Sequence, residues 1–311
     1  MYYSRAVYPK IELGRMTWLE VKERCEEDPM TPVIVLFSST EQHGHHLPLN
    51  TDAVSTGYIW WNAAKNVRKD VKPVLTPMMP YGNEWEHMGF PGTITLSTRT
   101  LTQLTKEIIR SLYLNAGFRK FAIVPGCGGQ AHVTSFRMAI CDLYEEFGPN
   151  IILFIGGGES AFSSIEEQTE LNKKLGFSTI ESFTAHGGEG ETSTALFLQP
   201  EDVNFEQAVD TIVPNTAQPI LPEWVNLPED TDWDWFNRLN PHVNWAYPRL
   251  RERGPQVGPV GTIGYATRAS ALKGKIATQT RIEWIERFLR WFKTLKITPK
   301  KEPPRRYGYK A

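Results

Sequence analysis

The chain has 311 residues, of which 41% are hydrophobic and 22% are charged, and its formal net charge is -1. This composition is ordinary for a globular protein, and the small net charge argues against recruitment by nucleic acid or an anionic membrane. Three cysteines without paired spacing argue against a disulfide framework, and no apolar run resembles a signal peptide or a membrane span. We therefore expect a cytoplasmic protein with neither a nucleic-acid partner nor a membrane partner.

Short apolar runs, each followed by a turn, predict buried strands at PVIVLF (32–37), KPVLTP (72–77), KFAIVPG (120–126) and NIILFIGGG (150–158). Amphipathic segments at 100–118, with Gly117 as its C-cap, and at 135–148 predict helices between these strands. Strands that alternate with helices predict an α/β fold around a mainly parallel sheet. In such sheets, functional sites form at the carboxyl ends of the strands.

The last third of the chain departs from this alternation. Residues 200–255 are rich in Pro, Asn, Asp and Trp, and we expect them to form an irregular excursion within a single domain spanning 1–296. Residues 281–296 predict an amphipathic helix docked on the core or on another subunit, with an apolar stripe of Ile282, Ile285, Leu289 and Phe292. The polar, Pro-rich segment 297–311 is predicted to be a mobile tail.

The stretch SSTEQHGHHLPLNTD (38–52) directly follows the first predicted strand. Glu41 and His43 point the same way if the backbone is extended, and a loop can return Asp52 to the same point. This donor set suits Zn²⁺, Mn²⁺ or Fe²⁺, and a carboxylate can bridge two ions. The alternative is a polar surface loop whose histidines are hydrogen-bonded.

Three further stretches carry groups capable of chemistry. In AHGGEGETSTAL, His186 suits proton transfer and Glu191 suits a ligand or base, although the glycines could merely cap a helix. In VPGCGGQAHV, Cys127 follows a strand in a Gly-rich loop, where it is either a metal ligand or nucleophile, or an inert core residue. The stretch YGNEWEHMGFPGTITL contains Glu86 and His87 in a structured loop.

In order along the chain, these stretches resemble the creatininase family of metal-dependent amidohydrolases. SSTEQHGHHLPLNTD is similar to the family's GSTEQHGPHLPLNTD, HMGFPGTITL to its H..FPGT segment, and AHGGEGETS to its HGG-x-x-ETS segment. GPVGTIGYATRASALKGK resembles a late family stretch more loosely. The resemblance runs over most of the chain, from about residue 33 to about residue 275.

The resemblance implies a three-layer α/β sandwich around a parallel sheet, with a two-metal site at the carboxyl edge. It implies that Glu41 and His43 hold different metals, that Asp52 bridges them, and that His186 assists proton transfer. Glu191 would be a ligand or a supporting carboxylate. The resemblance also implies a homo-oligomer, often a hexamer. Side chains expected near a substrate pocket are His45, Glu86, His87, Gln130 and His132.

One loop departs from the family pattern. The family's NGHGGN or NGHYEN reads PGCGGQ here, so the family's His falls on Cys127 and its creatinine-type Glu falls on Gly129. As a softer ligand, Cys127 would favour zinc over manganese or iron. Alternatively, that site is weak or empty and a single metal does the work, or His132 takes the place of the missing ligand. The missing Glu argues against creatinine as the substrate.

The predicted reaction is attack by metal-activated water on the carbonyl of a small cyclic substrate, which opens the ring. The leaving atom is either an amide nitrogen or, in an oxidised inositol (a diketo cyclitol), a carbon. The tryptophans of the excursion slightly favour the cyclitol, since indole faces pack on sugar-like rings. A non-catalytic descendant that binds a small molecule is the alternative of a different class.

Overall fold

The computed structural model describes residues 10–148, 151–154, 163–176, 186–211 and 260–296. Four strands pair in parallel in the spatial order β2-β1-β3-β4. They are β1 (Val33–Leu36), β2 (Val74–Leu75), β3 (Lys120–Val124) and β4 (Ile151–Phe154). Each lies within a predicted apolar run, although the end of the run 150–158 falls outside the described residues.

The α-helices in the described part of the chain are α1 (Trp18–Glu27), α2 (Thr51–Asn66), α3 (Thr98–Ser111), α4 (Gln130–Phe147), α5 (Ile165–Leu175), α6 (Glu189–Leu198) and α7 (Ala271–Thr294). The predicted helix at 100–118 is confirmed as α3, followed by a π-helical turn over Leu112–Ala116. It ends at Gly117, whose φ of 90° is left-handed, as expected of a C-cap. The helix predicted at 135–148 begins five residues earlier, at Gln130.

Helix α7 begins ten residues before the predicted start at 281. Ser270 caps it by accepting the Lys273 backbone N–H, and Gly274 lies in its first turns. Because glycine is unfavourable inside a helix, the sequence did not predict that the helix begins this early. A Cβ on Gly274 would collide with the Ser193 carbonyl of α6, so the glycine allows the two helices to pack closely.

The strand side chains alternate between two cores, one on each face of the sheet. Ile34 and Leu36 pack with α2 and α7, whereas Val33, Val35 and Phe37 pack with α1, α3 and α4. The sheet is therefore the middle layer of a three-layer α/β sandwich, as predicted. The apolar stripe predicted for the C-terminal helix is buried against the first of these cores.

The strand order creates a crevice between β1 and β3. The chain leaves β1 for β2 on one side and returns to β3 on the other, so the loops after β1 and β3 diverge at their carboxyl ends. Such a switch point is where open α/β sheets bind ligands. The loop of Glu41 follows β1 and the loop of Cys127 follows β3, so both meet at this crevice.

Only part of the predicted excursion is described. Residues 200–211 contain two short 3₁₀ turns, Pro200–Asp202 and Phe205–Gln207. Residues 212–255 and the predicted tail 297–311 lie outside the described residues, so the single domain and the mobile tail remain predictions. Of the helices that the structure describes, none combines the length and apolar character needed to span a bilayer.

Candidate metal centre

The loop after β1 gathers Glu41, His43 and Asp52 at one point. His43 pairs with Leu47 in an antiparallel bridge, and the Glu41 N–H donates to the Leu49 carbonyl, so the loop folds back on itself. Asp52 then returns in the first turn of α2, with Oδ1 3.5 Å from Nε2 of His43. Glu41 Oε1 lies 3.7 Å from the same nitrogen. The convergence predicted from residue spacing is therefore present.

Two other loops bring Glu191 and Cys127 to this cluster. Glu191 Oε2 lies 3.6 Å from Nε2 of His43 and accepts the Gly187 N–H at 2.6 Å. Cys127 Sγ lies 3.4 Å from Oε2 of Glu41, and the Gly129 N–H donates to this sulfur at 3.4 Å. Donors from the loops after β1 and β3 and from the start of α6 thus meet at the crevice.

The starts of three helices surround the cluster. Asp52 lies in the first turn of α2, Glu191 in the first turn of α6, and Cys127 shortly before α4. The positive end of a helix dipole stabilises nearby negative charge, which suits carboxylate and thiolate ligands. Ser39 Oγ donates to Oδ2 of Asp52 at 2.8 Å and fixes the orientation of that carboxylate.

The described residues contain four groups of three potential metal donors whose ligand atoms lie within 4.8 Å of one another. Two of these groups share Asp52. They are Glu41, Asp52 and Cys127 in one, and His43, Asp52 and Glu191 in the other. The remaining two are Glu41, His43 and His186 in one, and Glu41, Glu84 and His87 in the other. The sharing of Asp52 is the arrangement expected of a bridged two-metal site.

The spacing of these donors fits a divalent cation. Nε2 of His43 is buried and has no hydrogen-bond partner in the described part of the chain. Its distances of 3.5 to 3.7 Å to three carboxylates are too long for good hydrogen bonds. Ligand atoms around a tetrahedral zinc lie about 3.3–3.7 Å apart, as follows from the usual bond lengths. The residues therefore fit such an ion.

Electrostatics also favour positive charge here. Burial opposes a charge on His43, but the carboxylates of Asp52, Glu191 and Glu41 outweigh it and raise the pKa of His43 to about 10. Burial, together with Glu84 and Asp52, raises the pKa of Glu41 well above its ordinary value. The cluster holds more negative groups than its own side chains neutralise, and a divalent cation would offset this imbalance.

His186 lies between two other imidazole rings. It stacks on His43 and on His87, with ring centroids 4.1 Å apart in both pairs. Its Nε2 is 2.6 Å from the Gln42 carbonyl, which can only accept, so this nitrogen bears the proton. Its Nδ1 lies 3.6 Å from Oε1 of Glu41. Burial and the charge on His43 hold the pKa of His186 well below its ordinary value.

The predicted pocket residues occupy different environments. His87 is buried, with Nε2 3.5 Å from Oε1 of Glu41, and therefore belongs to the cluster. His45 is exposed and falls in none of the four donor groups of the described residues. His132 is buried against Glu84 instead of lining an open pocket. The side chains of Glu86 and Gln130 lie outside the described residues.

Sequence reasoning missed two members of the site. Gln42 donates through its side-chain Nε2 to Nδ1 of His87 at 3.0 Å, while its backbone carbonyl accepts the Nε2–H of His186. Glu84 is fully buried, with Oε2 3.3 Å from Sγ of Cys127. The position of Glu84 after the second predicted strand was the signal that could have identified it. The prediction selected Glu86 and His87 from the same stretch instead.

Comparisons with known proteins bear on the family and the fold of the chain. The family model described as Creatininase, creatinine amidohydrolase, matches residues 14–289 of the chain. The 3-dehydro-scyllo-inosose hydrolase of Thermotoga maritima is 25% identical over 278 residues, which are 88% of this chain and 81% of that protein. The mycofactocin precursor peptide peptidase of Mycobacterium ulcerans is 27% identical over 296 residues, or 93% and 95% of the two chains.

Solved structures show the same fold. A manganese creatininase is similar with a TM-score of 0.64 at 22% identity, covering 92% of this chain and all of that one (100%). At this level of identity the similarity bears on the fold alone, and it confirms the predicted fold class.

Proposed function

The chain belongs to the creatininase family of hydrolases, and from its buried donors we propose a two-metal hydrolase of small cyclic carbonyl compounds. The observation that carries the proposal is the sharing of Asp52 by two donor groups. Glu41 and Cys127 complete one group, and His43 and Glu191 complete the other. The buried Nε2 of His43, which has no hydrogen-bond partner among the described residues, supports the same assignment.

The proposed cofactor is a pair of divalent metal ions. When bound, such ions lower the pKa of water and polarise a carbonyl oxygen. The thiolate of Cys127 favours zinc on its side, because soft sulfur ligands select zinc over manganese. Around this pair, the side chains of the centre exclude bulk water, since Glu41 and His43 are almost fully buried. Glu191 is one-third exposed (33%), which makes its side the accessible one.

The proposed role of His186 is proton transfer. Its Nδ1 faces the centre, 3.6 Å from Oε1 of Glu41, and its Nε2–H donates to the backbone carbonyl of Gln42. In the proposed reaction, water oxygen adds to the carbonyl carbon and the ring bond to that carbon breaks. Nδ1 of His186 takes the proton from water and passes it to the leaving atom.

The identity of the leaving atom divides the substrate proposal in two. The relative named as an inosose hydrolase supports a cyclic ketone, in which carbon leaves. The relative named as a peptide peptidase supports an amide, in which nitrogen leaves. Both arms share attack on a carbonyl. Creatinine is not proposed, since Gly129 stands where a creatinine-type loop carries Glu.

The experiment has two stages. Elemental analysis of protein purified without chelator is expected to find one to two transition-metal equivalents per chain, and Glu41→Ala is expected to lose the ion on the Cys127 side. Oxidised inositols, cyclic amides and short peptides are then incubated with the metal-loaded protein, and ring opening or cleavage is followed by NMR. A chain that binds neither zinc nor manganese would contradict the hydrolase proposal. A metal-loaded chain inert toward all three substrate classes would favour the alternative of a binding protein.

The assembly and the compartment also remain proposals. The family resemblance predicts a homo-oligomer, and light scattering of the purified chain measures its mass directly. A mass equal to that of one chain would contradict this expectation. Cytoplasmic location is expected from the unpaired cysteines and is checked by fractionation of the source cells.

A further inference from the structure

Glu84 is the most buried carboxylate near the centre that the proposed two-metal site does not use. It follows β2 and directly precedes the 3₁₀ turn Trp85–His87. Its side chain has no exposed surface, its Oε2 lies 3.3 Å from Sγ of Cys127, and it groups with Glu41 and His87 as a potential donor. We infer that Glu84 is a further metal ligand on the Cys127 side, held in position by His132.

His132 ties Glu84 to the loop that carries Cys127. Its Nε2–H donates to the Pro125 carbonyl at 2.9 Å, two residues before Cys127 in the chain. Its Nδ1 accepts the Asn83 N–H at 3.1 Å and lies 3.0 Å from Oε1 of Glu84. One carboxylate oxygen is thus directed to His132, and the other is directed to Cys127. Since Nδ1 already accepts the Asn83 N–H, His132 positions Glu84 by packing against its carboxylate and not by donating a hydrogen bond to it.

Gly82 provides the space that Glu84 and His132 occupy. A Cβ at this position would collide with Oε1 of Glu84 and with the His132 ring. The backbone at Gly82 is also held, because its carbonyl accepts the Leu96 N–H at 2.7 Å. The close approach of Glu84 to Cys127 is therefore a feature of the fold, set by three segments of the chain, and not a free rotamer of one side chain.

The surroundings of Glu84 favour a ligand role. Glu41, Glu84 and Cys127 are all buried, and three potentially anionic groups packed together are unfavourable unless protons or a cation neutralise them; a cation would let all three act as ligands. Glu84 groups with Glu41 as a potential donor and contacts Cys127, and Asp52 groups with the same two residues, so both carboxylates meet at Glu41 and Cys127.

This assignment divides the centre into two unlike halves. The Cys127 side gains a fourth protein donor, in addition to Glu41, Asp52 and Cys127, and lies in the buried interior. The His43 side keeps three protein donors and includes the partly exposed Glu191. Zinc sites with four protein ligands are closed, whereas catalytic sites have three and an open position. The open half is therefore the His43 side. The inference rests on the proposed metal centre.

The test compares zinc binding in the full-length wild type, in Glu84→Gln and in Glu189→Gln. Glu189 is the matched control, because it is an equally buried carboxylate that bonds Lys273 instead of the centre. Zinc affinity is measured by competition with a chromophoric chelator. We expect Glu84→Gln to weaken one of two zinc ions by more than about a hundredfold, beyond the roughly 10–100-fold typical of residues that only support ligands. Glu189→Gln should retain both ions.

Cobalt(II) identifies which half is affected, because a thiolate bound to cobalt gives a charge-transfer absorption band. In Glu84→Gln we expect the Cys127 band to develop only at higher cobalt concentration than in the wild type. A band that develops at the wild-type concentration overturns the inference. If Glu84→Gln does not fold, Glu84→Asp retains the charge but shortens its reach, and it should weaken the same ion. Unchanged zinc affinity in Glu84→Asp would also contradict the inference.

The two proposals fail in different ways in this experiment. If the wild-type chain binds no metal, the result contradicts the proposed function itself. If the wild-type chain binds two zinc ions and Glu84→Gln binds both equally tightly, the result contradicts only the role proposed for Glu84.

Discussion

The two ends of strand β3 both bury ionisable side chains, with opposite consequences. At the amino end, Lys120 is fully buried, and its Nζ donates to the carbonyls of Phe292 and Lys293 at 2.9 and 3.0 Å. These carbonyls lie at the end of α7, where the helix dipole favours positive charge. At the carboxyl end, Cys127 faces the carboxylates of Glu41 and Glu84.

The difference separates a structural charge from a functional one. Lys120 meets acceptors that the fold itself supplies, so its charge is compensated within the protein. The cluster around Cys127 and Glu41 faces other negative groups, and the buried Nε2 of His43 has no hydrogen-bond partner in the described structure. Buried charge is tolerated when it is paired or coordinates a metal. This contrast supports the proposal that the carboxyl end holds a ligand, whereas the charge of Lys120 at the amino end is met by backbone carbonyls.

The largest effect is expected from Asp52→Asn, because Asp52 belongs to both donor groups of the proposed centre. Metal content should fall from two equivalents per chain to none. The zinc-dependent stabilisation of the wild type, about 4 kcal/mol at a thousandfold excess over Kd, should disappear. Elemental analysis and thermal unfolding with and without zinc measure both quantities.

Asp28→Asn is the control for Asp52→Asn at the opposite end of the sheet, where Asp28 pairs with Lys293. It should leave metal content and the zinc-dependent shift unchanged. Loss of metal in this control would show that the two ends are not independent.

A smaller effect is expected from Cys127→Ser, which removes a donor from one group only. One zinc should bind more weakly while the other is retained, because His43, Asp52 and Glu191 remain. Cys127→His supplies an imidazole, the ligand that the family pattern has at this position, and should retain both ions. Chelator competition distinguishes the variants, and unchanged affinity in Cys127→Ser would exclude Cys127 as a ligand.

Lys120→Met should destabilise the fold without affecting metal binding. It leaves the carbonyls of Phe292 and Lys293 without their buried donor, which costs about 1–3 kcal/mol. Urea unfolding measures the loss, and zinc stoichiometry should equal that of the wild type. A change in stoichiometry would contradict the separation of the two ends.

The smallest effect concerns pH. Burial and the charge of Lys293 lower the pKa of Lys120 from 10.5 to about 8. Below pH 8 both the folded and unfolded states are protonated, and the folded state bears the unfavourable buried charge. Above pH 8 the folded state loses its proton first, so the unfolded state binds more protons and stability rises with pH. The gain should be on the order of 1 kcal/mol by pH 8.5 to 9.

This gain is measured as the difference in unfolding free energy between the wild type and Lys120→Met at pH 7 and pH 9. The difference cancels titrations that both proteins share. It should grow in favour of the wild type as pH rises, and a difference that is constant or shrinks would show that Lys120 is not the group responsible.

The fold was largely predictable because its signals are local. Apolar runs identified the four strands, and the amphipathic period located α3 and most of α4 and α7. The early start of α7 was not predictable, because Gly274 is unfavourable in an isolated helix. Gly274 is needed for the close packing of α7 on the Ser193 carbonyl of α6, a contact between residues that are distant in sequence.

The site was predictable where its residues are neighbours in the chain. In an extended backbone the side chains of residues i and i+2 point in the same direction, so the sequence alone determined that Glu41 and His43 converge. It also determined that a short loop can return Asp52 to the same point. Only the tertiary structure decided that Cys127 lies beside Glu41 and that Glu84 approaches from the loop after β2. Those contacts depend on the strand order β2-β1-β3-β4 and on the space left by Gly82, which arise from long-range packing.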